Sequence, residues 1–291
     1  MDEIKLKALS KINLGLDVVR RREDGYHEVR MVMQTIHLFD RLHIKKSREP
    51  GIKICSNLSF LPVNENNLVY KAGQLLMEEF KITDGVSVEL FKRIPVAAGM
   101  AGGSTDAAAM LYGMNQLFGL GLKSNALMER GVKIGADVPY CLMRGTALAE
   151  GIGEELSSLP PMVRCPVLIA KPAVSVSTKF VYQNLKLDET TIHPDISALV
   201  ADIRKKDFDG ICKDMGNVLE SVTIPGYPVI AQIKERMLLS GAKASMMSGS
   251  GPTVFGLFED EKTAKKAQKD MRESALARQV YLTTIYNNRR K

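Results

Sequence analysis

Between Pro95 and Thr105 the chain reads Pro95-Val96-Ala97-Ala98-Gly99-Met100-Ala101-Gly102-Gly103-Ser104-Thr105. From Ala97 to Ser104 every side chain except Met100 is small, so a ligand can approach the main chain closely. Ser104 and Thr105 place two hydroxyls where a helix is expected to begin. The opening N–H groups of a helix lack intrahelical partners and sit at the positive end of its dipole, which suits an anion. A Gly/Ala-rich loop also lets a helix pack tightly on a sheet, so on the loop alone the two readings are about even. The pattern Gly-x-Gly-x-x-Gly fails here and at Gly249-Ser250-Gly251, whose sixth position is Val254. The pattern Gly-x-x-x-x-Gly-Lys-Ser/Thr is absent from the chain. A nucleotide bound at this loop has to do without the usual loop lysine.

Other residues stand out by place. Lys11 interrupts an otherwise apolar strand pattern, unlike an ordinary solvated strand lysine. Asp137 follows a helical stretch and reads, on spacing alone, as a loop aspartate. Tyr26 and His27 follow the turn dipeptide Asp24-Gly25. Ser248-Gly249-Ser250-Gly251 reads as a tight turn of small residues. Cys55, Cys141, Cys165 and Cys212 form no Cys-x-x-Cys pair, and His27, His37, His43 and His193 show no metal-ligand spacing, so zinc is not expected.

These residues need elements to hold them. Alternation predicts strands over 4–9 and 12–19, then around Val29-Met33, over 41–45 and over 86–90. Helical spacing predicts a helix over 67–80, one from near Gly103 to about Phe118, and one over 124–134 with Ser124 as N-cap and Gly135 past its end. A glycine-containing segment, 145–153, leads to Pro160-Pro161. Beyond it a buried strand is expected over 167–170, helices over 177–185, 196–205, 208–219 and 229–239, and strands over 243–247 and 253–258. A helix over 261–277 and a strand over 279–286 close the chain. Strands in runs, irregularly interleaved with helices, indicate an α+β fold rather than a doubly wound parallel sheet.

At 291 residues the chain exceeds one small core. The expected division is 1–159 and 160–291. Forty Lys+Arg against 33 Asp+Glu give a formal charge of +7, which suits an enzyme gathering phosphates and would also suit weak nucleic-acid binding. No block of like charge supports the latter; Arg289-Arg290-Lys291 reads as a solvated tail. The opening Met1-Asp2-Glu3-Ile4-Lys5 is too charged for a secretory signal, and no apolar stretch is long enough to span a bilayer. A cytoplasmic protein with neither nucleic-acid nor membrane partners is expected.

The loop resembles the central motif of the GHMP kinase superfamily, Pro-x-x-x-Gly-Leu/Met-x-Gly/Ser-Ser-x-x-Ala. Two further stretches share the resemblance: Lys11-Ile12-Asn13-Leu14-Gly15-Leu16-Asp17-Val18 and Lys243-Ala244-Ser245-Met246-Met247-Ser248-Gly249-Ser250-Gly251-Pro252-Thr253-Val254. Three motifs in order are far more specific than one. Asp24-Gly25-Tyr26-His27, Asn66-Asn67-Leu68-Val69, Gly135-Ala136-Asp137-Val138-Pro139, Ala149 to Glu154 and Val174 to Thr178 are similar to one branch of that superfamily. Its substrate is a cytidine-diphosphate sugar alcohol of non-mevalonate isoprenoid precursor synthesis. Ser10, where that branch usually has Ala, and Thr105, where Ser is commoner, are small departures.

The resemblance implies a two-lobed α+β kinase with its active site between the lobes, ATP bound by the N-terminal lobe and substrate by the C-terminal one. It implies that Asp137 is the base or the group orienting the substrate hydroxyl, with Lys11 as a cation that keeps it ionised. Residues 95–105 would hold ATP, with Asn67 near the adenine. Asn13, Tyr26, His27, Thr178, Tyr182, Ser248, Gly249, Ser250 and Gly251 would hold the substrate, Tyr26 and Tyr182 stacking on cytosine while His27 bonds its edge. Mg²⁺ is expected with ATP, but no residue is assigned as its ligand. Asp106 would either cap the helix or reach the metal. Another GHMP kinase, acting on homoserine, mevalonate or a sugar, and a catalytically silent ATP-binding regulator of the same fold are the alternatives.

Overall fold

The computed structural model describes residues 1–288; the basic run Arg289-Arg290-Lys291 lies outside the described residues. In chain order the elements are β1 (Glu3–Arg21), β2 (His27–Ser47), β3 (Ile52–Ser56), α1 (Leu68–Glu79), β4 (Gly85–Phe91), α2 (Gly102–Leu117), α3 (Ser124–Val132) and α4 (Val138–Met143). There follow β5 (Thr146–Glu150), β6 (Glu155–Ser158), β7 (Pro166–Lys171), α5 (Thr178–Asn184), α6 (Ile196–Lys205), α7 (Phe208–Asp214) and β8 (Gly216–Asn217). Last come α8 (Glu220–Gly226), α9 (Val229–Leu239), β9 (Ala244–Met247), β10 (Val254–Leu257), α10 (Glu261–Glu273) and β11 (Gln279–Thr284).

Packing divides the chain into two compact units that are not contiguous in sequence. The first gathers Met1–Ser10, Leu38–Val96 and Ala101–Met143; the second gathers Lys11–His37, Ala97–Met100 and the chain from Arg144 onward. This grouping differs from a single cut at 159/160.

In the first unit β4 runs antiparallel to β2, Arg41 opposite Phe91, and parallel to β3, Ile52 opposite Val86. The alternation of β4 is realised: Val86, Val88 and Leu90 are buried while Glu89 faces solvent. Helices α1 and α2 pack together. Val69, Ala72 and Leu76 are the buried stripe of α1, whereas α2 is buried over most of its length, from Thr105 to Leu117.

In the second unit β5 pairs antiparallel with β2, Met31 opposite Ala149, and forms a hairpin with β6. A separate antiparallel sheet has the order β11-β7-β10-β9. Helix α10 packs on β7 and β11 and α9 on β9 and β10, so β10 and the middle of β7 read as unbroken apolar runs. Asp260 caps α10 by accepting from Thr263 N–H at 2.8 Å.

Several expectations change. One strand, β1, replaces the two expected either side of Lys11, because polar partners receive the buried ammonium without a break in the ladder. The helix expected over 208–219 ends at Asp214, and Gly216, a poor helix former, pairs with Gly15 in β8 instead. Ser124 is the first helical residue of α3 rather than its cap; Lys123 occupies that place without a side-chain bond. The β5–β6 hairpin sits in the segment read as a glycine loop, and β3, α4 and α8 carry no period strong enough to predict. No helix among the described residues is long and apolar enough to cross a membrane.

Gly85 opens β4 where only hydrogen fits: a Cβ there would lie 1.7 Å from the Glu49 carbonyl oxygen. Gly85→Ala is expected to cost about 2–3 kcal/mol by urea unfolding, whereas Gly226→Ala, with open space around it, is expected to change stability by less than about 0.5 kcal/mol.

Candidate functional site

The loop turns through left-handed backbone at alternate residues, with φ of 49° at Ala97, 71° at Gly99 and 55° at Ala101. Alanine tolerates this conformation at a cost of about 1–2 kcal/mol, but Gly99 has a second reason to be glycine. A Cβ on Gly99 would lie 2.0 Å from the carbonyl oxygen of Ser248. The central loop and the third motif are in backbone contact there.

The carbonyl of Gly99 accepts two hydrogen bonds, from Ser248 Oγ at 2.9 Å and from Lys11 Nζ at 3.1 Å. Lys11 Nζ also donates to Asn13 Oδ1 at 2.7 Å, and Asn13 Nδ2 donates to Met31 Sδ at 3.2 Å. Lys11 is 4% exposed, so its charge is held by these acceptors rather than by water. An ammonium carries three hydrogens, and these two acceptors take two of them. Residues of three motifs that lie far apart in sequence meet on one carbonyl, and Lys11, Gly99 and Ser248 all belong to the second unit.

The turn Ser248–Gly251 is fixed from several sides. Gly251 N–H donates to the Ser248 carbonyl at 3.0 Å, and Ser248 N–H to Thr253 at 2.9 Å. Asn217 on β8 donates through Nδ2 to the carbonyls of Met247 (2.9 Å) and Gly249 (2.8 Å), while its Oδ1 accepts from Leu219 N–H. The Ser250 and Thr178 hydroxyls are 2.8 Å apart. Sequence reasoning missed Asn217; its short strand was hidden in an apparent helix.

Tyr182 on α5 stands against His27, ring centroids 5.1 Å apart and planes tilted by 43°. Tyr26 is 61% exposed. The structure therefore brings His27 and Tyr182 together, with Tyr26 on the solvent side of the same turn. Burial, with some help from the Arg21 charge, pushes the His27 imidazole below its ordinary pKa. A neutral imidazole offers one donor and one acceptor, the equipment for reading the edge of a base.

In the first unit α2 begins after Ala101 with no side chain capping its end, which leaves its opening N–H groups to a ligand or to water. Of the two hydroxyls in its first turn, Thr105 Oγ1 donates to the Leu9 carbonyl at 2.7 Å and is buried. Its proton is spent on β1, and Ser104 is the half-exposed hydroxyl. Side chains of Pro95, Ala98 and Met100 are buried, so these loop residues offer backbone alone. Asn67 is the N-cap of α1, accepting from Val69 N–H at 2.9 Å and donating to the Pro62 carbonyl at 2.7 Å. Asp137 is half-buried just before α4, its carbonyl accepting from Cys141 N–H at 3.1 Å.

Asp106 neither caps α2 nor stands free. Lys92 Nζ donates to Asp106 Oδ2 at 2.6 Å and also pairs with Asp40. All three are buried. Asp106 Oδ1 has no partner among the described residues, whereas Asp40 Oδ1 accepts from the N–H groups of Arg93 and Ile94. Two carboxylates sharing one ammonium cannot both ionise at equal cost. Burial, with the Asp40 charge adding and Lys92 opposing, pushes the Asp106 carboxyl well above its ordinary pKa. Lys92 and Asp40 escaped the sequence reading, although each falls on the inward phase of its strand's alternation.

Among the described residues no group of three or more His, Cys, Asp or Glu side chains could hold a metal ion.

The N-terminal domain model of the GHMP kinases matches residues 67–145, and the C-terminal model of the same family matches 199–276. A 4-diphosphocytidyl-2-C-methyl-D-erythritol kinase from Lachnospira eligens is 58% identical over 286 residues, covering 98% of this chain and 99% of that protein. The Acetivibrio thermocellus protein of the same name is 50% identical over 274 residues, covering 94% and 96%. A crystal structure of a 4-(cytidine 5'-diphospho)-2C-methyl-D-erythritol kinase superposes with a TM-score of 0.84 at 31% identity, over 98% of this chain and 100% of that one. A homoserine kinase from Cytophaga hutchinsonii, 23% identical with a TM-score of 0.80 over 99% and 96% of the two chains, shares the fold. The motifs joined at Gly99 thus occur in a chain whose relatives match it almost end to end, and it belongs to the GHMP kinases, in the 4-diphosphocytidyl-2-C-methyl-D-erythritol kinase family.

Proposed function

We propose that this protein transfers the γ-phosphoryl group of ATP to the 2-hydroxyl of 4-diphosphocytidyl-2-C-methyl-D-erythritol, in the non-mevalonate route to isoprenoid precursors. The observation that carries the reading is the convergence of Lys11, the glycine-rich loop and the Ser248–Gly251 turn on the Gly99 carbonyl. Retention of Lys11 and Asp137 speaks against a silent ATP-binding protein. The pairing of His27 with Tyr182 favours a substrate carrying a base over homoserine or mevalonate.

The fit to a triphosphate rests on the uncapped start of α2 and on the backbone of small residues before it. Phosphoryl transfer asks a protein mainly for positioning and charge stabilisation. Residues 96–104 hold phosphate oxygens through main-chain N–H groups, with Pro95 shaping the loop's start, Ser104 adds its hydroxyl, and Asn67 fixes the start of α1 on the adenine side. The third hydrogen of Lys11 goes to a reacting oxygen. Asp137 accepts or orients the proton of the attacking hydroxyl. His27 bonds the cytosine edge while Tyr26 and Tyr182 supply ring faces; Asn13, Thr178 and the Ser248–Gly251 turn shape the sugar-alcohol side. Mg²⁺, when bound with ATP, supplies charge neutralisation; phosphate oxygens and water would provide most of its ligands. Nucleotide-binding residues all fall within 1–159, while Thr178, Tyr182 and 248–251 fall within 160–291, the functional division we assign.

Gly103→Val tests the loop. The nearest atom to a Cβ there is Leu68 Cδ1 at 3.4 Å, an ordinary contact. The fold is expected to survive while ATP affinity by calorimetry falls more than about tenfold, because a branched side chain covers the main chain. Gly99→Ala, by contrast, is expected to lower both stability and activity, since its methyl would collide with backbone. Asp137→Asn is expected to leave nucleotide binding nearly unchanged and to lower kcat by about 10²–10⁴-fold; near-normal turnover would remove Asp137 from the mechanism.

The decisive experiment compares kcat/KM for 4-diphosphocytidyl-2-C-methyl-D-erythritol with that for 2-C-methyl-D-erythritol 4-phosphate. Loss of the cytidine is expected to cost most of the activity, since each stacked base face contributes about 1–3 kcal/mol and remote binding energy aligns the hydroxyl. Tyr26→Ala should reproduce part of that loss, mainly in KM. A ratio near one would turn the assignment toward another sugar-alcohol kinase of this fold.

A further inference from the structure

The glycine-rich loop has an entrance at Arg93-Ile94 and an exit at the first turn of α2. Asp40 holds the entrance: its Oδ1 accepts from Arg93 N–H and from Ile94 N–H, the latter at 2.8 Å. Lys92 holds the exit: its Nζ donates to Asp106 Oδ2 at 2.6 Å and reaches the Gly102 carbonyl at 3.3 Å. Lys92 and Asp40 are themselves paired, so the two ends of the loop are joined through a single ammonium. The main chain of Lys92 is fixed in turn by Asn57, whose Oδ1 accepts from Lys92 N–H at 2.7 Å and whose Nδ2 donates to its carbonyl at 3.1 Å. All of these residues belong to the first unit.

Stability alone does not explain the arrangement. Well-packed apolar side chains of similar volume often stabilise as much as a buried ion cluster or more, and this cluster leaves Asp106 Oδ1 without a partner among the described residues. Fixed geometry is what it supplies: the first turn of α2 is tied to β2 and to the end of β4 by directional, charge-assisted bonds.

We propose that Asp40, Lys92 and Asp106 form a positioning clamp that sets the separation and orientation of the two ends of the loop, and so presents the N–H groups at the start of α2 to the ATP phosphates. The inference rests on the reading of residues 95–105 as the phosphate site. None of the three touches substrate; each acts through the loop backbone.

The test uses the full chain and three measurements: the thermal midpoint without nucleotide, the Kd for a non-hydrolysable ATP analogue, and the Kd for the cytidine-diphosphate substrate. Asp106→Asn is nearly isosteric and removes the least satisfied carboxylate. Its midpoint is expected to hold or rise, while analogue affinity falls about five- to fiftyfold and substrate affinity stays within twofold. Lys92→Met should give a larger loss of the same kind. Should it strand two carboxylates and fail to fold, Lys92→Met combined with Asp40→Asn and Asp106→Asn keeps the cluster neutral and is expected to show the same selective loss. Amide hydrogen exchange at residues 102–106 without nucleotide should quicken in each folded variant, and KM for ATP should rise more than kcat falls. Wild-type analogue affinity in folded Asp106→Asn would overturn the clamp while leaving the phosphate site intact. An unaltered chain that does not bind the analogue would instead overturn the phosphate site, and the clamp with it.

Discussion

The approach of Gly99 to the backbone of Ser248 leaves no room for a side chain, and much else follows from it. A Cβ would sit 2.0 Å from the Ser248 oxygen, and φ at Gly99 is +71°; hydrogen alone meets both demands. With the two backbones this close, the Gly99 carbonyl can receive Ser248 Oγ and Lys11 Nζ together. Burying an ammonium without acceptors is costly; here a carbonyl and the Asn13 amide oxygen take that place. The same bonds fix the direction of the Lys11 ammonium.

The electrostatics near the loop are unusual in sign. A site for polyphosphate gains from the start of a helix and from a cation, yet Asp40 and Asp106 lie buried just behind the start of α2. Lys92 offsets one of these charges. Burial opposes the second charge by raising the Asp106 pKa; Asp40 Oδ1 is satisfied by two backbone N–H groups, while Asp106 Oδ1 has no partner among the described residues. The cluster keeps directional bonds at both ends of the loop. Protonation of Asp106 is linked to folding with a definite sign: since its folded pKa is raised, its ionisation opposes folding as pH rises through that value.

The elements with a clean period were legible from the residues. Val86-Ser87-Val88-Glu89-Leu90 and the stripe Val69, Ala72, Leu76 formed as their spacing required. The loop, Lys11 and Ser248–Gly251 were also legible as parts, but not their meeting at one carbonyl, since contact across 88 and 149 positions leaves no mark in local pattern. Lys92 and Asp40 were lost for a different reason. A lysine after Phe91 reads as the polar end of a strand. Yet Leu90, Lys92 and Ile94, like Leu38, Asp40 and Leu42, keep strict period two with the buried face. Opposite charges on the inward phase of two neighbouring strands were the available signal. Asn217 had no such signal, because its strand spans two residues and lies inside a stretch with helical composition.

Recognition in this chain divides between main chain and side chain, and the division has consequences for specificity. On the proposed reading, phosphates meet the backbone of a loop whose Ala98 and Met100 side chains are buried. Substitution there acts through shape, so the loop constrains sequence to small residues without specifying a substrate. The residues proposed to read the base are side chains at the start of β2 and on α5, where His27 and Tyr182 meet at 5.1 Å. Neither ring belongs to the loop, and exchange of either leaves the Gly99 junction untouched. If those roles hold, substrate choice can change with a few side chains in the second unit while the loop backbone stays the same. On the proposed reading, substrate choice belongs to those side chains, and placement of the phosphates to the backbone path that Gly99 permits.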